Sequence, residues 1–153
     1  MELFRISQAA YAGTLTASGR PNRWNNDGQY VIYAGSSRSL STLELVVHRN
    51  AIKPAPPGKV MVISVADDDQ MVSQIRLKDL PTNWRTIAAY PVLQQIGSDW
   101  YTKNETLLLK VPSAVIIQEY NYLINTKHPD FAAKVSLVRT EDYFWDDRLL
   151  DDK

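Results

Sequence analysis

Glu44 is the residue of this 153-residue chain best placed to do chemistry. Leu40, Leu43 and Val47 recur at helical spacing, and Glu44 falls beside that apolar stripe rather than on the opposite, solvated face. A carboxylate there needs a partner or a task, because burying an unpaired charge costs several kcal/mol or shifts the group toward neutrality. A second reading exists: Ser41-Thr42-Leu43-Glu44 fits the S-x-x-E capping box, in which the carboxylate folds back onto the Ser41 backbone. Spacing alone does not separate the two. A helix-compatible start at Ser36 or Ser37 favours a helix already running by Glu44.

Four further groups carry chemistry-bearing side chains. Arg23, followed by Trp24 and Asn25, has the guanidinium that usually pairs with phosphate oxygens. The plain alternative is a surface Arg beside an anchoring Trp, with Asn25, Asn26, Asp27 and Gly28 as the turn. Tyr33 ends an apolar run, where an aromatic with its hydroxyl in water is the common case. Ser113 lies in VPSAV; no G-x-S-x-G elbow surrounds it, so a turn hydroxyl is the simpler reading. Asn121, Asn125 and His128, in NYLINTKHPDF, read first as turn chemistry at a strand end.

The elements that must position these residues read as one α+β domain, residues 1–153, with more strand than helix. Strands are expected at Leu3–Ile6, Tyr30–Ala34, Val60–Val65, Gln74–Leu77 and Leu107–Val111. Pro112-Ser113 breaks the last of these, Ala114–Gln118 resumes it, and Asn121–Asn125 and Lys134–Val138 follow. Helices are expected over 39–49 and 91–104, the second with Val92, Leu93, Ile96 and Trp100 on one stripe and Gly97 as a weak point. The loop KPAPPG (53–58) ends the first unit. The tail WDDRLLDDK is expected to be partly ordered through Trp145 and Leu149.

Composition narrows the classes. Seventeen basic and seventeen acidic residues cancel, which argues against a general polyanion binder; no direct nucleic-acid binding is expected. Without cysteine, and with only His48 and His128 as imidazoles, a zinc site is not expected, and no metal is invoked. Neither a signal peptide nor a membrane span is read, so a cytoplasmic location is the expectation. The G-x-x-x-x-G-K-[ST], G-x-G-x-x-G and H-E-x-x-H motifs are absent. A homo-oligomer is compatible with the eight tyrosines, a residue type favoured at interfaces.

The order of the pieces carries more than any one of them. Phe4-Arg5-Ile6, Arg23-Trp24-Asn25, Val31-Ile32-Tyr33-Ala34 and Leu43-Glu44 with His48 follow one another. Then come Ile96-Gly97-Ser98-Asp99-Trp100, Val111-Pro112-Ser113-Ala114-Val115, Asn121–Asn125, His128-Pro129-Asp130-Phe131 and Asp147-Arg148-Leu149. Nearly end to end, this order resembles the RES domain, named for its Arg, Glu and Ser. Thr126 stands where that family often has proline, and Pro21-Asn22 is inserted before the Arg-Trp-Asn.

The resemblance implies a fold similar to ADP-ribosyltransferase toxins, with a split or mixed β-sheet core flanked by helices. It implies NAD+ as substrate, consumed by hydrolysis or phosphorolysis or used to ADP-ribosylate a protein, and growth arrest as the result. A non-catalytic binding module of the same fold is the alternative from another class. The implied partner is a helix-turn-helix antitoxin of the Xre type. Carried onto matching positions, the implied catalytic residues are Glu44, Arg23 and Ser113, with Tyr33, Asn121 and Arg5 binding substrate.

Overall fold

The computed structural model describes residues 1–48 and 58–150. Its centre is a seven-stranded mixed sheet made of β1 (Glu2–Gln8), β2 (Val31–Gly35), β3 (Gly58–Val65), β4 (Val72–Gln74), β5 (Leu108–Pro112), β6 (Tyr120–Asn125) and β7 (Val135–Asp142). The strands lie in the order β4-β5-β6-β2-β1-β3-β7. Only β4 and β5 pair in parallel; the other neighbours are antiparallel. Among the described residues three α-helices join it: α1 (Arg38–His48), α2 (Tyr90–Lys103) and the single turn α3 (Phe131–Lys134). The α+β expectation therefore holds.

Alternation along the strands sorts side chains onto two faces. Leu3, Ile32, Ala34, Met61, Ile63, Leu108, Tyr122 and Ile124 form the core of one face, covered by Leu15, Ala17 and Phe131. The other face carries Phe4, Val60 and Val62 in one cluster. In a second cluster it carries Val31, Leu109, Val111 and Leu123, beneath Trp84, Leu93 and Trp100. Both long helices lie on this second face.

Two glycines permit that packing. A Cβ at Gly35 would sit 2.5 Å from the Ser41 hydroxyl, and a Cβ at Gly97 would sit 1.6 Å from the Trp24 carbonyl oxygen. Gly97 is thus the contact at which α2 rests on the 22–25 segment, and not a weak point of the helix. Asn104, with φ 53°, closes α2 in the left-handed conformation.

Several local expectations are corrected. The capping box does not form, because α1 begins at Arg38 and Ser37 Oγ accepts the Leu40 N–H at 3.0 Å. Ser41, already inside the helix, donates to Phe4 O at 2.9 Å. The packed side of α1 is Leu40, Ser41 and half-buried Glu44 and Leu45, whereas Leu43 and Val47 are exposed. Val92 likewise leaves the α2 stripe and is half exposed. The strand expected at Gln74–Leu77 is displaced to β4, and a 3-10 turn, Leu77–Asp79, takes its end.

Ala114–Gln118 does not resume a strand. Ser113 Oγ accepts the N–H groups of Val115 and Ile116 at 3.1 and 3.0 Å, and Ser113 N donates to Glu119 O at 2.9 Å, so the chain loops back to begin β6. Most of the KPAPPG loop, and residue 49 of the expected first helix, lie outside the described residues. Within the described part of the tail, Asp147–Leu150 forms a 3-10 turn. Among the described residues, no helix is long and apolar enough to cross a membrane.

Candidate functional site

The register of the sheet assembles the site at one end. Gly35 closes β2 opposite Asn121, and Asn121 in turn faces Val111, two residues before Ser113. The turn from β2 into α1 then lays Glu44 over these strand ends. Three side chains far apart in sequence meet there: Ser113 Oγ donates to Glu44 Oε1 at 2.6 Å, and Asn121 Nδ2 donates to the same oxygen at 2.6 Å. Ser113 is fully buried. Its two lone pairs are taken by backbone N–H groups, so its one proton is aimed at Glu44. Both donors are neutral and hold the carboxylate without cancelling its charge.

Tyr33 lies on the same face, two residues along β2 from Gly35 and opposite Leu123. Its hydroxyl donates to Asn25 Oδ1 at 2.6 Å and accepts the Trp24 N–H at 3.1 Å. Burial of that hydroxyl is the main reason its pKa is raised well above the ordinary tyrosine value; Tyr90 adds to the rise, and the Trp24 N–H and Arg23 oppose it. Asn25 is itself buried, and its amide donates to Arg20 O, Asn26 O and Gln29 O. Trp24 is buried in the cluster under α2. Trp24 and Asn25 therefore brace Tyr33 through its hydroxyl.

Arg23 is half-buried and committed to its surroundings. Its Nη1 donates to Trp84 O and Arg85 O, both at 3.2 Å, and its guanidinium carbon sits 4.9 Å from the centre of the Tyr90 ring. Arg85 Nε in turn donates to Ala114 O at 2.8 Å, beside Ser113. The 84–90 segment thus bridges Arg23 to the Ser113 loop. Sequence reading passed over Arg85 and Tyr90; the only local signal is the Trp84-Arg85 pair after a Pro-Thr-Asn turn.

The structure does not bring the remaining candidates to Glu44. Arg5 alternates with Phe4 and so points to the other sheet face, where its Nη1 donates to Thr16 O at 3.1 Å. Asn125 bonds Asn104 Oδ1 and the Lys127 N–H, and His128 Nδ1 accepts the Asp130 N–H, as turn chemistry requires. His48 is exposed at the end of α1. Among the described residues no group of three or more His, Asp or Glu side chains could hold a metal ion.

Fold and site together define an α+β protein whose polar centre is one carboxylate held by a hydroxyl and an amide. The chain belongs to the RES domain family, whose model matches residues 2–146. It is similar to a protein named Toxin Res from Yersinia enterocolitica, 35% identical over 97% of this chain and 99% of the relative. A Toxin Res from Pseudomonas putida is 35% identical over 97% and 99% of the two chains. A protein named Prs ADP-ribosylating toxin, from a Sphingobium species, is 35% identical over 84% of this chain and 80% of its own.

Proposed function

We propose that this chain is a toxin of a bacterial toxin–antitoxin pair, acting as a single domain that cleaves the nicotinamide–ribose bond of NAD+. The observation that carries the reading is the Glu44 carboxylate gripped at one oxygen by Ser113 and Asn121. When the C1′–N bond breaks, its electron pair goes to the pyridinium nitrogen and nicotinamide leaves neutral, so no general acid is required. The ribose is left oxocarbenium-like, and the site's task is to set fixed negative charge beside it. Glu44 performs that task, and Ser113 and Asn121 keep it from rotating away. Tyr33 lines the nicotinamide side, where an aromatic face attracts the cationic ring. Arg23, clasped to the 84–90 segment, adds positive charge to the pyrophosphate side from that fixed position.

The acceptor oxygen of water or inorganic phosphate then adds at C1′ and gives up its proton. NAD+ depletion arrests growth, and the action is cytoplasmic. An Xre-type helix-turn-helix antitoxin is the partner. A second reading, transfer of ADP-ribose to a protein, is favoured by the name of the Sphingobium relative. It would use the same carboxylate with a protein side chain as acceptor.

The test is NAD+ loss and nicotinamide release by the purified protein beside Glu44→Gln, with and without inorganic phosphate. Gln keeps a carbonyl oxygen for the Ser113 and Asn121 donors, so the variant should fold as wild type does. Its turnover should fall about a hundredfold or more, the scale on which one preorganised electrostatic group acts. Equal turnover in the two proteins would sink the glycosidic reading. Wild-type turnover only with a protein acceptor present would select the transferase.

A further inference from the structure

We infer that Arg85 is a phosphate-binding residue of this site, an inference that rests on the proposed NAD+ chemistry. A ligand bearing phosphate cannot approach Glu44 without a cation to offset carboxylate–phosphate repulsion. Arg23 is the residue the sequence offers, yet its Nη1 is shared between two backbone carbonyls and its guanidinium packs on Tyr90. These contacts make Arg23 the clasp of the 84–90 segment.

That segment carries the better-placed cation. Trp84 is buried in the core and fixes the segment, and Arg85 beside it is exposed. The Nε donor of Arg85 is fastened to Ala114 O at 2.8 Å. Ala114 adjoins Ser113, about 3.8 Å away between Cα atoms, and Ser113 holds Glu44. The guanidinium is therefore anchored through Nε to the residue that follows Ser113, the serine that holds Glu44. An Arg has five donors in a rigid fork, and the Nη pair suits two phosphate oxygens. Being exposed, it reaches a ligand without first being unburied.

The ligand chemistry is a phosphate oxyanion, from either the diphosphate of NAD+ or an inorganic phosphate acceptor. The experiment measures binding of ADP-ribose and of inorganic phosphate by titration calorimetry to wild type, Arg85→Gln and Arg85→Lys. Steady-state KM and kcat for NAD+ and thermal melts accompany it. If Arg85 grips the diphosphate, Arg85→Gln should weaken ADP-ribose about ten- to a hundredfold and raise KM for NAD+ far more than it lowers kcat. If it grips the acceptor, Arg85→Gln should lose inorganic phosphate and only the phosphate-dependent turnover. In either case Arg85→Lys, which keeps the charge but not the fork, should recover part of the loss.

Unchanged affinity of Arg85→Gln for both ligands, with wild type binding normally, overturns this inference and leaves the proposed function standing. So does a loss that follows a lowered melting temperature and is not recovered by Lys, since Arg85 is then only a staple to Ala114. Wild type that binds neither ligand overturns this inference, and if it also fails to turn over NAD+ the NAD+ reading falls with it.

Discussion

The Ser113 hydroxyl accepts two backbone N–H groups, which leaves a single direction for its proton, toward Glu44. A serine so engaged is a poor nucleophile and a good brace; the turn that ends β5 and the geometry of Glu44 are one feature. Tyr33 shows the same economy, one hydroxyl joining β2 to the 22–25 segment through Asn25 and Trp24. Its pKa is raised in the folded protein by burial, so its contribution to stability has a definite sign. The protonated phenol is present in both states below the unfolded value of about 10, and stability is full there. Above it the unfolded chain loses the proton first, and stability falls as pH rises toward the folded value. Tyr33→Phe should remove both hydrogen bonds, at about 1–3 kcal/mol by urea denaturation, and flatten the fall above about pH 10. In spectrophotometric titration it should also remove one late-ionising tyrosine. An unaltered alkaline limb would mean that Tyr33 is not the group responsible.

At the scale of elements, β-branched runs were legible and polar captures were not. Val60–Val65 announces β3 by composition, and the structure extends it only to Gly58. Ala114–Gln118 is just as apolar but forms no ladder, because Ser113 takes the amides of Val115 and Ile116. The apolar spacing of α1 pointed to Leu43 and Val47, yet the close approach allowed by Gly35 turns Ser41 and Glu44 inward instead. Gly97 is the sharpest test of such close approaches. Alanine there gains about 1 kcal/mol of helix propensity, but its Cβ would overlap the Trp24 carbonyl. Overpacking against backbone costs about 1–3 kcal/mol and occasionally more, so Gly97→Ala should be a net loss. It should also weaken NAD+ turnover, since Trp24 adjoins Arg23 and bonds Tyr33. Gly13, with nothing within 4 Å of a built Cβ, is the control: alanine there should be neutral or stabilising by up to about 1 kcal/mol. Matching melting temperatures for the two variants would refute the close-contact role of Gly97.

At the scale of the molecule, the site exists because the sheet brings distant chain together. Glu44 meets Ser113 and Asn121 across separations of 69 and 77 residues. No local pattern encodes such a meeting, which is why spacing leaves Glu44 with two readings. The family resemblance singles out Glu44, Ser113 and Asn121, which periodicity does not. Surface ion pairs join other distant parts of the chain, with one local pair in the tail. Arg38 holds Glu141 with two bonds, joining α1 to β7; Lys134 holds Asp68; Lys59 holds Asp142; and Arg148 holds Asp146. Each partner keeps its carboxyl below the ordinary range, Asp146 down to about 2. A depressed folded pKa gives stability that is present above the unfolded value, about pH 4, and lost as pH falls through the folded one. The pairs are at the surface, so the loss should be gradual and small, and salt should erase it. Urea midpoints should hold from neutral pH to about 4 and then decline toward about pH 2. Near 1 M salt, where the screening length is about 3 Å, the decline should flatten. A steep, salt-independent collapse beginning near pH 5 would show instead that buried groups govern the acid limb, and that the Arg38–Glu141 pair does not hold α1 against β7.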